Sequence, residues 1–241
     1  MDQKTVNREK KHLEGELKRL WSFYLEESYA VYMLRRKLLE KQGEFFAEAL
    51  SDAENVTEDS FPAEGLRFPK EIYVKLVKIT PHLITLFPKV VSEGALIRLV
   101  SVFEYFVTNS IKLVIGTNPD LVDRRFRGHD NPVQEQMEYL RENSFQKRLV
   151  FIGGNLKISL DTENFKGKEL KEIVATRHII THNRGIVDNK YIKEVARNSA
   201  FRLGAERTVD DQYFEDSMKI LNSAAVYLCL ALTEKYCGTI W

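Results

Sequence analysis

Apolar side chains recur every seventh residue through the first fifth of the chain, at Leu17, Tyr24, Val31, Leu38 and Phe45, with Leu13, Leu20 and Leu34 between them. A period of seven is two turns of α-helix, so the segment from Lys4 to Leu50 predicts one long helix with a coiled-coil-like seam. Glu27 and Lys41 interrupt the second seam position. A broken seam favours packing against another helix of the same chain over an isolated two-stranded coil. A chain that spends so much of its length on one such helix is constrained toward an all-α bundle.

The rest of the sequence follows suit. Ser51 to Pro69 is acidic, carries two prolines and shows no period, which reads as a connector. Lys70 to Leu86 is apolar enough to pack, with Pro81 beginning or kinking a helical turn. Pro88 stands where a first helical turn leads into Val90 to Ile115. From Leu96 to Val114 that helix is apolar around most of its girth, which places it at the centre of the fold. Pro132 to Val150 reads as an amphipathic helix, and Phe151 to Leu160, with Gly153-Gly154, as a loop or small hairpin. Further helices are expected over Phe165 to His182, Tyr191 to Arg197 and Asp210 to Tyr236, the last capped by Thr208-Val-Asp210. The natural division is an N-terminal helical extension over 1–89 and a domain over 90–241.

Chemistry concentrates in one stretch, Ala175-Thr-Arg177-His178-Ile-Ile-Thr-His182-Asn183-Arg184-Gly185, where an apolar helix breaks into a turn. This stretch resembles the catalytic motif of the HEPN superfamily, in which an Arg followed by a polar residue lies four to six residues before a His near a helix end. Leu96 to Val114 is similar to the opening helix of the branch called RiboL-PSP, and the order Gly185, Tyr191, Gly204 and a closing amphipathic helix follows that layout, so the resemblance covers about Val90 to Gly238. It implies an antiparallel HEPN-like helical bundle with an additional long N-terminal helix. It also implies a metal-independent endoribonuclease without cofactors, a homodimer whose pairing completes the site, and Arg177 and His182 as catalytic residues. By the same analogy His178 positions phosphate or ribose. Such proteins resemble toxins of toxin–antitoxin pairs and phage-defence effectors, which would bring RNA as substrate and an antitoxin or regulatory protein as partner. Other members look like catalytically silent modules that bind RNA or a protein, and this is the alternative reading.

The residue chemistry is compatible with cleavage. Histidine exchanges protons near neutrality, and arginine presents a charged planar fork to phosphate oxygens. Five residues of α-helix turn through about 140°, so one straight helix does not aim Arg177 and His182 alike, and a frayed end or a two-fold pairing of helices would have to bring them together. Asn183 either caps the helix or contacts RNA, Glu104 on the central helix either orients Arg177 through an ion pair or faces solvent, and Arg184 is a candidate contact to the RNA backbone. Arg124 and His129 repeat the spacing, but among Gly128, Asp130, Asn131 and Pro132 they read as loop. His178 and His182 also have the spacing of a helical zinc pair, yet Ile179 stands where zinc proteases carry Glu and no third ligand is near in sequence, so no metal site is expected.

Charge sharpens the picture only locally. The net charge is +1, but 44–71 carries eight acids against two bases and 166–207 ten bases against five acids, so the motif lies in the basic part. Cys229 and Cys237, the only cysteines, fall in the last apolar helix and read as reduced thiols. With no signal-peptide core at Met-Asp-Gln-Lys and no apolar run long enough to span a bilayer, the expectation is a cytoplasmic protein without membrane contact.

Overall fold

The computed structural model describes residues 3–44, 60–63, 66–160, 165–195 and 201–238, with side chains described for all of these but 3 and 60–85. The class is all-α. Helix α1 spans Gln3–Glu40, a two-residue-linked ribbon pairs β1 (Ser60–Ala63) antiparallel with β2 (Leu66–Pro69), and α2 runs from Lys70 to Thr117. There follow a 3-10 turn at Pro119–Leu121, α3 (Pro132–Glu142), α4 (Phe145–Gly154), α5 (Gly167–Asn183), α6 (Asn189–Val195) and α7 (Asp211–Leu232), closed by a π-helical turn at Thr233–Cys237.

Helix α2 is the axle. Leu96, Leu99, Phe103, Phe106, Ile111 and Val114 are fully buried, and they share one core with Leu13, Leu17 and Tyr24 of α1 and Leu221, Leu228 and Leu232 of α7. The first helix therefore packs on its own chain, as its interrupted seam suggests. Pro81 and Pro88 both lie inside α2, so no new helix opens at Pro88, and α2 crosses the division drawn at 89/90. A proline within a helix removes one backbone hydrogen bond without forcing the chain to stop, and beyond Pro88 the helix is held by the core that begins at Leu96.

The α1 seam also departs from strict sevens. Leu13, Leu17 and Tyr24 are buried, but Leu34 and Leu38 are exposed, and the buried positions beyond Tyr24 are Ser28 and Arg35. A straight helix drifts about 20° per heptad against a seven-residue repeat, so later members rotate out of the interface. Arg35 enters in their place. Its guanidinium donates to Ser92 Oγ at 3.1 and 3.2 Å, pairs with Asp211 in the first turn of α7, and lies 4.4 Å over the Phe214 ring. The helix is interrupted by a turn at Lys41; the expected continuation from Phe45 to Leu50 lies outside the described residues, as does 51–59 of the connector.

Two other expectations change. The single helix expected over Pro132 to Val150 is two, because Asn143 is extended (φ −102°, ψ 168°) and its side chain donates to the Tyr139 carbonyl at 2.8 Å, ending α3. Phe151 to Leu160 opens inside α4, with Phe151 and Ile152 buried, and is not a hairpin. Helix starts follow the sequence: Asn131 accepts from Gln134 N ahead of Pro132, and Asp210 accepts from Tyr213 N at 2.7 Å ahead of α7. No helix among the described residues is long and apolar enough to cross a membrane.

Candidate functional site

Helix α5 carries the motif, and its end is built by backbone geometry. Arg184 takes the left-handed conformation (φ 53°, ψ 33°), Gly185 follows at φ 78°, and Gly185 N donates to the Ile179 carbonyl at 3.0 Å, six residues back. Arg184 N donates to the same carbonyl, so the left-handed turn closes the helix on Ile179. A side chain at 185 would be strained by the positive φ, with the Arg207 carbonyl in contact 3.4 Å from its Cβ. Asn183 Nδ2 donates to the Ile186 carbonyl at 2.6 Å, so Asn183 braces the turn. The turn is then pinned to the following loop by Val187 N to Ala205 O and Arg207 N to Gly185 O, at 2.9 and 2.8 Å.

One face of α5 forms the floor of a cleft of about 760 Å³ between the α3–α4 connection and α6, and Arg177, His178 and His182 all line it, together with Glu104 from α2. Both side chains reach the same cleft despite the helical rotation between them, Arg177 half-buried beside Glu104 of α2 and His182 exposed. The cleft is cationic: Arg141, Arg148, Lys171, Arg177, Lys190 and Lys193 line it against Glu104, Glu142 and Glu194. An excess of positive charge in a walled groove concentrates phosphate-bearing ligands. Asn183 and Arg184 lie outside this lining, and Arg184 is exposed at the turn.

Arg177 is incompletely satisfied. Its Nη2 stands 3.9 Å from Glu104 Oε2, while its Nε is buried with no hydrogen-bond partner among the described residues. Glu104 thus faces Arg177 across the cleft floor, as the ion-pair reading of the sequence has it. Its other oxygen accepts from Arg148 Nη1 at 3.1 Å. The His178 and His182 rings lie 4.7 Å apart, centroid to centroid, at 47°. Lys190 Nζ is 3.3 Å from His178 Nε2. An ammonium only donates, so Nε2 accepts and the ring is neutral at that nitrogen. Burial, then the charges of Lys190 and His182, hold the His178 imidazole below the usual histidine range, opposed by Glu194 and Asp188. Among the described residues no group of three His, Cys, Asp or Glu is placed to hold a metal ion. The repeat of the motif lies in turns, with Arg124 exposed and His129 Nδ1 3.7 Å from Glu135.

Sequence reasoning missed what grips α5 from its other face. Glu172 Oε1 accepts from Thr176 at 3.0 Å, Tyr191 at 2.8 Å and Arg207 at 3.2 and 3.3 Å, and Oε2 accepts from Tyr213 at 2.8 Å. Arg207 also lies 3.9 Å over the Tyr213 ring. Below this network Ala175, Ile179, Val187 and Tyr191 form a small core that seats α6 on α5. Nothing in the spacing of Glu172, Tyr191, Arg207 and Tyr213 marks them as partners, because a tertiary network has no period. Arg148 and Lys190 were missed for the same reason.

The chain matches no family model, no curated protein and no solved structure.

Proposed function

We propose that this protein is a metal-independent endoribonuclease of the HEPN type. The observation that supports the reading is that Arg177 and His182 line one cationic cleft, with the Arg177 Nε–H left without an acceptor among the described residues. In the proposed reaction the RNA 2′-oxygen attacks the adjacent phosphorus, the 5′-oxygen leaves, and the products are a 2′,3′-cyclic phosphate and a 5′-hydroxyl. Arg177 meets the charge that grows on the phosphoryl oxygens. His182 transfers a proton at the attacking or the leaving oxygen, and pairing of two motif helices about a two-fold axis supplies the second histidine for the other transfer. His178, neutral at Nε2, orients Lys190 toward the same phosphate. The working context is a cytoplasmic toxin or phage-defence effector held in check by an antitoxin or regulatory protein.

The test is incubation of the purified protein with a mixed RNA pool in EDTA, beside His182→Ala and an Arg124→Ala/His129→Ala control. The expected result is cleavage with 5′-hydroxyl ends by the parent and the control, and none by His182→Ala. A folded dimer that binds RNA or a protein without cutting would replace this reading with that of a silent binding module. Loss of activity only in the control would move the site to the Arg124 loop.

A further inference from the structure

Glu104 stands between two guanidiniums at unequal range, 3.1 Å from Arg148 and 3.9 Å from Arg177. Arg148 is itself fixed: it is buried, its Nε donates to the Leu140 carbonyl at 3.0 Å, and its guanidinium lies 5.8 Å over the Phe145 ring. The chain of contacts runs from the backbone of α3 through Arg148 and Glu104 to the motif arginine on α5. Both Coulomb attraction and hydrogen bonding fall with distance, so Arg148 meets more of the carboxylate's charge than Arg177 does. A carboxylate facing Arg177 alone would close into a two-point fork and occupy the donors a phosphate needs. Instead Arg177 keeps a buried Nε–H with no partner among the described residues.

We infer that Arg148 is a positioning residue that draws Glu104 away from Arg177, so that the carboxylate aligns the motif arginine without consuming its donors. This rests on the reading of Arg177 as the group that meets phosphate, and extends it to a residue outside the motif. A purely structural Arg148 and a positioning Arg148 differ in one consequence. If Arg148 only ties α4 to α3, removing Glu104 as well removes a second buried contact and makes matters worse. If it restrains Glu104, removing Glu104 as well frees Arg177 again.

The experiment reads RNA cleavage in EDTA and the ¹⁵N-edited NMR signal of the Arg177 Nε–H, assigned by its loss in Arg177→Lys, for the parent, Arg148→Met, Glu104→Gln and the double variant. In Arg148→Met the Nε–H signal is expected to move downfield as Glu104 closes on Arg177, with cleavage reduced about tenfold or more. In Arg148→Met/Glu104→Gln the signal is expected to return toward the parent position, and cleavage to recover about fivefold over Arg148→Met. An unmoved signal in Arg148→Met, or a double variant no more active than the single one, overturns the inference. A parent that does not cut RNA refutes the ribonuclease reading instead, and the NMR signal still decides the role of Arg148. Should Arg148→Met fail to fold, Arg148→Lys keeps a charge beside Glu104 and is expected to hold the signal in place; a shifted signal in folded Arg148→Lys overturns the inference as well.

Discussion

The two faces of α5 are built to opposite standards. On the side of Glu172, one carboxylate takes hydrogen bonds from four side chains drawn from α5, α6, the 201–208 loop and α7. On the cleft side, Arg177 has a long ion pair and an unmatched Nε–H, His178 is held neutral beside a lysine, and His182 is exposed. Buried polar groups in folded proteins are almost always paired, so the fully paired face is what holds the helix in place, and on the proposed reading the cleft face, with its unmatched buried Nε–H, is the one that takes a ligand. An arginine left incompletely satisfied needs a rigid support, and Glu172 supplies it from behind.

That contrast can be broken from either side. The largest effect is expected on the cleft face: Arg177→Ala and His182→Ala should each lower RNA cleavage about a hundredfold or more, read as single-turnover rates. Glu172→Ala should do the reverse, costing about 3 kcal/mol in a urea melt by stranding Arg207 and two tyrosines, with activity lost only as far as the fold is lost. Gly185→Ala should cost about 1–2 kcal/mol, because it forces a side chain onto a left-handed turn against the Arg207 carbonyl.

Smaller effects sharpen the comparison at its edges. Glu93 of α2 lies under that turn, with Oε1 buried and without a hydrogen-bond partner among the described residues, 3.8 Å from Lys89 Nζ, and burial raises its carboxyl above the ordinary range, opposed by Lys89 and assisted by Glu206. A raised folded pKa means the protonated form is favoured, so the stability it contributes is present at acid pH and lost as pH rises. Glu93→Gln is therefore expected to melt higher than the parent at neutral pH and to match it in acid. His178 has the opposite shift, so its contribution is present above the usual histidine range and is lost as pH falls below it. Lys190→Met removes one cause of that shift, and an NMR titration of the His178 ring should show its pKa move up.

Much of the fold is legible where local chemistry decides it. The apolar girth of Leu96 to Val114 marks the central helix, Asp210 marks the start of α7, and Asn183 with Gly185 marks the end of the motif helix. The elements misread are those where the wider structure overrides a local signal. Pro81 and Pro88 do not stop α2, because each removes only one backbone hydrogen bond from a helix of 48 residues. The break at Asn143 carries neither Gly nor Pro, and the drift of α1 away from Leu34 and Leu38 depends on the helix being straight. At the site, the motif names Arg177, His178 and His182, and Glu104 follows from an acid on an apolar helix. Arg148, Lys190 and the Glu172 network come from distant parts of the chain, and only the fold brings them together.

The most direct test is one pair of measurements on Arg177→Ala: its melting temperature and its rate of RNA cleavage in EDTA, each against the parent. The expected result is a melting temperature within about two degrees of the parent, since among the described residues its ion pair with Glu104 is long and its Nε–H unmatched, with cleavage abolished. Cleavage at the parent rate by the folded variant would contradict the assignment of the cleft face to catalysis.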